Sequence, residues 1–506
     1  CLLMIACSIP LSNYVMSMGG IFLSVNWFLE WNWKKKWELL KANRLAVVLS
    51  AFFFICSLCL IKTDNWSIGL DNLLSKLPLL YTPIIMATSK PLEGKAQRIV
   101  IFGFICSVFF ATIYSVIYLL NNDVVDIRDI SVFISHIRFS LCIVLAIFLC
   151  GFISFNITHY SKITRTIFLL VSVWFVIYLF IAQTLTGISI LIIASVFILF
   201  KMLLSRKKDF LRKIIIYSFS LLVLGFAAYA TYIIYDYYSV KTPLKSQLES
   251  TTKEGNLYHH DLNSILENGS LVYLYVCEEE LKTEWAKRSE LTYNDSIETT
   301  IIRYLNSKGL RKDGEGIKAL SDKDINNIEQ GIANVDYSYG FGLKRSLYPL
   351  LFSFTLYEKY NKIDHSSILQ RIELWKVGFQ VIKTNVLFGV GIGDHKSAID
   401  NQLIAQNSPL TYKKEMGCHN QFITYCLMGG VILLICFLFT LVYPFLENKN
   451  SHTILYQIFF IIIFFSLFTE DTLETQVGIT LYAFFNSFLL FIFDNNKIAN
   501  AGIKET

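Results

Sequence analysis

Residues 387–422, LFGVGIGDHKSAIDNQLIAQNSPLTYKKEMGCHNQF, carry three alternating glycines, two histidines and a lysine pair in a chain that is otherwise largely apolar. His419 stands directly before Asn420, which opens a long uncharged run, so the imidazole is predicted at the N-terminus of a membrane-crossing helix. There the positive end of the helix dipole favours an uncharged ring able to accept a proton. Two roles fit: a general base, or a capping residue at the interface.

In SILQRIELWKVGFQVIKTN, Ile368, Ile372, Trp375, Phe379 and Ile382 recur at steps of three and four, with Glu373, Lys376 and Gln380 opposite. This pattern predicts a helix lying on a membrane surface. Arg371 borders the apolar stripe at headgroup depth. A planar guanidinium there either grips a phosphate through paired hydrogen bonds or only anchors the helix. Arg138, in SHIRFSL with His136, offers a second cation on the same side. Glu470, Asp471 and Glu474, in TEDTLETQ, occupy the last loop of that side, where they orient His419, bind sugar hydroxyls or stay solvated.

Other motifs carry less chemistry. GVGIG has glycines at 389, 391 and 393 but neither a preceding strand nor a GxGxxG or GKS pattern, so it reads as a turn leading the backbone off the surface helix. His395 has no evident partner and reads as a loop residue. His259, His260 and Asp261 offer ligand types without a fixed-spacing partner such as HExxH or CxxC, so no metal is expected. Of the eleven cysteines, Cys277 and Cys418 alone lie in polar sequence, where they are able to pair if that side is oxidising.

The elements that must position these groups follow from composition. The 506 residues are 54% apolar and 17% charged, against about 45–50% and about 25% in soluble domains. The fold class is therefore an all-α polytopic membrane protein. Uncharged runs at 45–61, 99–120, 139–158, 214–235, 420–446, 453–469 and 475–493 each suffice to cross a bilayer core of about 20 residues. The run 166–200 is broken at Thr184, Thr186 and Gly187 and reads as two helices; the segment 77–89, with Pro78 and Pro83, and two crossings before Leu29 bring the expected total to twelve.

Lysines and arginines fill every second short loop (Lys34–Lys36, Lys41 and Arg44; Lys90, Lys95 and Arg98; Lys162 and Arg165; Arg206–Lys208), which assigns those loops to the cytoplasm. The predicted domains are 1–236 with nine helices, 237–419 as a mostly helical periplasmic loop with its interfacial helix, 420–494 with three helices, and a cytoplasmic tail at 495–506. Within the loop, SIETTIIRYLNSKGL and DKDINNIEQGIANVDY predict two short helices, the first closed by Gly309. The net charge of +6 belongs to loops flanking membrane spans, so no nucleic-acid partner is expected. The chain opens on Cys1, not Met, with no basic region before its first apolar run, so no cleavable leader is visible and the true N-terminus is expected to lie upstream.

A string of membrane helices, a large late loop, RIELW, GVGIG, HNQFITYCLMGGV and TEDTLETQVG together resemble the bacterial O-antigen ligase and polymerase superfamily, specifically over about 365–480. The resemblance implies a GT-C-like fold in the bacterial inner membrane with its site facing the periplasm. It implies transfer of a glycan from undecaprenyl diphosphate to a lipid A-core or other glycan acceptor, with no cofactor and no metal. It assigns His419 to activation of the acceptor hydroxyl and Arg371 to the donor diphosphate, with Arg138, Arg345, Asn420, Glu470 and Glu474 as substrate-binding candidates. Many members carry an arginine shortly after a Ser at the outer start of a middle helix; LTGISIL (185–191) has none, which leaves two expectations, that Arg138 or Arg345 compensates or that the donor is held differently. A transporter or flippase of lipid-linked sugars is the alternative of another class, but mid-membrane ionisable residues and internal repeats are not evident.

Overall fold

The computed structural model describes residues 1–122, 124, 126–157, 160–204, 210–239, 248–338, 343–363, 366–410 and 416–494. It is predominantly helical and divides into two compact units. The larger holds Cys1–Arg206, Leu374–Asn407 and Tyr412–Thr506; the smaller holds Lys207–Glu373 and Ser408–Thr411. The residues 374–407 thus pack with the helical bundle, not with the block 237–419 delimited from sequence.

Among the described residues six helices, all in the larger unit, are long and apolar enough to cross a membrane: Arg44–Lys62, Gly94–Asn121, His136–Asn156, Lys162–Ile181, Leu185–Leu204 and Gln421–Glu447. The expected break near Thr184 is a turn over Ala182–Thr184, with Gln183 at φ 50°. The other expected crossings fall on Leu2–Ser8, Asn13–Leu29, Leu77–Thr88, Phe210–Tyr238, Ile454–Thr469 and Gln476–Ser487, the last continued by a π-helical turn Phe488–Ile492. Pro78 lies in the first turn of its helix, where a missing N–H breaks nothing, while Pro83 lies inside. One continuous apolar core, including Phe104, Phe175, Tyr178, Ile463 and Phe484, binds the helices of the larger unit, while Phe210–Tyr238 belongs to the smaller one.

The helix Gln421–Glu447 is not continuous in conformation. Gly429 (φ −139°, ψ 17°) and Gly430 (φ 69°, ψ −167°) interrupt it. The freed carbonyls of Leu427 and Met428 accept from the N–H groups of Val390 (2.7 Å) and Gly391 (3.1 Å), and Val431 N–H donates to Val386 O (2.8 Å). GVGIG is therefore the strand-like partner of a broken apolar helix, and more than a turn. An added Cβ at Gly430 would meet the Leu387 carbonyl at 2.2 Å, and one at Gly389 would meet Leu427 O at 2.3 Å, so both positions admit no side chain.

The smaller unit has its own core around Trp285, Ile301, Tyr304, Leu305, Ile317 and Ile328. Asp295–Ser307 is the first helix expected there, ended by Gly309 at φ +68°; Asp322–Glu329 is the second, opened by a Ser321–Asp324 capping box. Asn268 and Gly269, both at positive φ, turn a two-stranded hairpin that pairs Leu266 with Leu271 and Glu267 with Ser270.

The helix Ser367–Thr384 matches the predicted amphipathic segment. Its packed face is Leu374, Val377, Gly378 and Val381, while Ile368 and Phe379 of the stripe read from sequence stay exposed. Glycine decides this, because a Cβ at Gly378 would meet Ile423 Cγ2 at 2.9 Å and Cys418 Sγ at 3.0 Å.

Candidate active site

All contacts in this and the next two paragraphs lie within the larger unit. Gln421–Glu447 begins with Asn420 as its cap: the side-chain oxygen accepts from Phe422 N–H (3.1 Å) and Ile423 N–H (3.2 Å). Asp471, from the loop after Ile454–Thr469, completes that end. Its carboxylate accepts from His419 N–H (2.9 Å), Asn420 N–H (3.1 Å) and the Thr424 hydroxyl (2.6 Å). This clamp holds His419 in left-handed backbone, φ 50°, a conformation that a non-glycine residue keeps only when its surroundings impose it. Burial pushes the Asp471 carboxyl up, against the Thr424 hydrogen bond and the neighbouring His419.

Glu470 links the two cationic candidates. Its Oε2 lies 3.3 Å from His419 Nδ1 and 3.5 Å from Arg138 Nη2. The Glu470 side chain is 4% exposed and that of His419 42%, so the ring is open to a substrate while the carboxylate behind it is not. With Nδ1–H donated to Glu470, Nε2 carries the free lone pair. Asn420 Nδ2 donates to Phe468 O (3.3 Å), tying the last turn of Ile454–Thr469 to the start of Gln421–Glu447.

Beneath lies a second charged layer. Lys76, fully buried, pairs with Glu474 (2.6 Å), whose other oxygen accepts from Gln421 Nε2 (2.8 Å); Gln421 Oε1 in turn accepts from Leu473 N–H (2.8 Å). Burial acts to raise the Glu474 carboxyl, but Lys76, His395 and these hydrogen bonds outweigh it and hold it low. His395 is not a loop residue: it opens the helix His395–Ala405, is 3% exposed, and sets Nδ1 3.0 Å from Ile392 O. The adjacent Asp394 accepts from the N–H groups of Asp64 (2.7 Å) and Asn65 (3.2 Å), pinning GVGIG to the end of Arg44–Lys62.

The structure thus brings together His419, Asn420, Arg138 and Glu470, with Glu474 one layer below. Arg345 and Arg371 belong to the smaller unit. Arg371 is half-buried on Ser367–Thr384, one turn before Trp375, whose indole N–H donates to Cys418 O (2.8 Å). Arg345 is exposed on the helix Leu343–Tyr360. Cys277 and Cys418 are both free, buried thiols, and burial pushes each of them up. His260 Nδ1 accepts from Tyr275 N–H (3.1 Å) and its Nε2 lies 2.8 Å from Glu249 O, so backbone groups occupy both ring nitrogens.

Sequence reasoning missed Lys76, Gln421, Thr424 and Asp394. Lys76 alone had a legible signal, a lysine between apolar runs in DNLLSKLPLLYTPII; Gln421 and Thr424 declare themselves only through partners 47 to 53 residues on, and Asp394 through partners 329 and 330 residues away.

Residues 332–438 match the family model described as O-antigen ligase. That match supports the resemblance to the O-antigen ligase and polymerase superfamily. It covers Arg345, Arg371, GVGIG, His419, Asn420 and the Gly429–Gly430 break, and it ends before Glu470, Asp471 and Glu474. No curated protein matches the chain.

Proposed function

We propose that the chain is a membrane glycosyltransferase of the O-antigen ligase type, moving a glycan from undecaprenyl diphosphate to a lipid A-core acceptor at the outer face of the bacterial inner membrane. The observation that carries this reading is Glu470 Oε2 between His419 Nδ1 and Arg138, with the His419 ring exposed above it.

In this reading His419 Nε2 takes the proton of the acceptor hydroxyl as its oxygen attacks the anomeric carbon of the donor glycan. The new glycosidic C–O bond forms while the bond from that carbon to the diphosphate oxygen breaks, and the electron pair leaves on the lipid diphosphate. Glu470 stabilises the imidazolium that results. The departing diphosphate gains negative charge, which guanidinium groups stabilise more than they stabilise the ground state. Arg371 is assigned to that task, with Arg138 and Arg345 as further cations; Asn420 and Glu470, both buried, and Glu474, nearly so, serve the substrate-binding end by holding it in shape. A diphosphate is a good leaving group, so the reading requires no metal or cofactor. Twelve crossings, both termini in the cytoplasm and the block 237–419 on the outer side complete the reading, supported by the alternation of basic loops.

The test is reconstitution of the purified protein with a lipid-diphosphate glycan and, separately, lipid A-core and a second lipid-linked glycan as acceptors. Transfer to the core supports the ligase, and transfer to the second lipid-linked glycan instead makes it a polymerase using the same site. His419→Ala is expected to insert and purify normally and to lose transfer by about 10²- to 10⁴-fold. Full activity in that variant rejects the base assignment.

A further inference from the structure

The end of the larger unit opposite His419 holds a second polar feature that glycan transfer does not use. Gln421–Glu447 runs 27 residues from the His419 end through its break at Gly429–Gly430, enough chain to cross a bilayer core of about 20 helical residues. At its far end two hollows of about 480 and 670 Å³ adjoin, sharing Leu39, Asn43 and Ala87. The first is lined by Lys35, Lys36 and Lys90 on its polar side and by Leu39, Met86 and Phe491 on its apolar side; the second adds Arg44, Lys449 and one acid, Glu447.

The charges are unequal. Glu30, the acid in the first hollow, is already paired with Lys36 at 3.3 Å, and Lys36 also donates to the Trp27 carbonyl and lies 4.6 Å from that indole ring. Lys35 and Lys90 remain as exposed cations on the helix Trp33–Ala42 and the turn after Leu77–Thr88. Trp31 and Trp37 are exposed beside them, 74% and 58%. Indoles and lysines together mark headgroup depth, where one end of a side chain is wet and the other greasy.

We propose that this cleft binds an anionic glycerophospholipid, with Lys35 and Lys90 on the phosphodiester and the acyl chains along Leu39, Met86 and Phe491. The apolar wall distinguishes a lipid from a free phosphate, which would leave that wall wet. The acids of the cleft are engaged, Glu30 with Lys36 and Glu447 with the Tyr443 hydroxyl, and Lys35, Lys36, Lys90, Arg44 and Lys449 outnumber them, so the cleft favours an anionic headgroup over a zwitterionic one. Such a site stands whether or not the chain transfers glycans.

The test is native mass spectrometry of the full chain in detergent, titrated with phosphatidylglycerol, phosphatidylcholine or glycerol 3-phosphate. Phosphatidylglycerol is expected to bind at least tenfold more tightly than phosphatidylcholine, and glycerol 3-phosphate not to bind. Lys35→Gln with Lys90→Gln is expected to weaken phosphatidylglycerol about thirty-fold, from roughly tenfold or less per lysine near an anionic surface. Lys253→Gln with Lys287→Gln, which removes equal charge from the smaller unit, is expected to leave binding unchanged. Equal binding of the two lipids, equal loss in both double variants, no loss in the first, or glycerol 3-phosphate binding as tightly as the lipid each overturns the proposal.

Discussion

Glu470 performs two tasks at one oxygen. It faces the His419 imidazole at 3.3 Å and the Arg138 guanidinium at 3.5 Å, and its own burial makes both partners matter more than they would in water. Glu470→Gln keeps the size and one acceptor but removes the charge that stabilises a protonated ring. The expected outcome is a fall in kcat of about tenfold or more with little change in the donor KM, because the ring's charge develops only during reaction. Steady-state kinetics of the reconstituted variant check this, and a change confined to KM contradicts it. Arg371→Lys tests the other candidate: an ammonium is a point charge and does not reproduce a paired grip on a diphosphate, so transfer is expected to fall although the net charge is unchanged. At this scale the sequence was informative about His419 and Arg138, whose types stand out in apolar surroundings. For Asp471 it left three roles open, orienting His419, binding sugar hydroxyls or staying solvated, since a carboxylate in a polar loop looks the same whether it binds water or three donors.

Two elements carry the larger consequences. The first is the break at Gly429–Gly430, where an apolar helix opens its backbone and GVGIG supplies the missing hydrogen bonds. In a membrane an unpaired backbone group is costly, so irregular chain at that depth persists only where protein re-satisfies it. Gly430→Ala combines a left-handed φ with a Cβ 2.2 Å from the Leu387 carbonyl. The expected result is a loss of several kcal/mol, read as a drop in the thermal midpoint of the detergent-solubilised protein and its glycine-429 region becoming protease-sensitive. The second is the hairpin Leu266–Glu267 with Ser270–Leu271 in the smaller unit, which carries the buried Glu267. Its carboxylate takes both Arg303 donors at 2.9 Å and Asn334 Nδ2 at 3.0 Å, with Arg303 stacked 3.7 Å from the Phe352 ring centroid. Glu267→Ala strands the guanidinium and is expected to destabilise by about 3–5 kcal/mol; Glu267→Ala with Arg303→Met is expected to recover part of it, measured by the same thermal midpoint. Helix positions and the Gly309 stop were legible from spacing. The hairpin's Asn268-Gly269 turn is a sequence signal that the reading of the block as mostly helical passed over, whereas the pairing of GVGIG with a glycine pair forty residues on needs the fold.

Across the whole molecule, period and composition reveal what each element does to water and lipid, and little about which polar groups meet. Six of the expected crossings meet the length and apolarity of a membrane helix. The charged layer under His419 stayed hidden because its members, Lys76, His395, Gln421 and Glu474, come from four separate segments. His395 makes that layer testable. It is packed on Ile392 O and faces Glu474, Lys76 and Lys396, and burial, the largest influence, pushes its ring down to about 4. In the unfolded chain the same ring titrates near 6.5. Between those two values the unfolded state takes up a proton that the folded state refuses, so stability is present above about pH 6.5 and is lost as the pH falls toward 4, on the order of 3 kcal/mol in all. Carboxylates such as Asp471, pushed up by burial, bind their proton more readily in the folded state and act in the opposite sense. The contribution of His395 therefore emerges as a difference. His395→Asn should flatten the pH dependence of the thermal midpoint between pH 7 and 4.5 relative to the parent protein, while a parallel slope in both proteins would show that the ring is protonated in the folded state and that the layer does not exclude charge as its geometry requires.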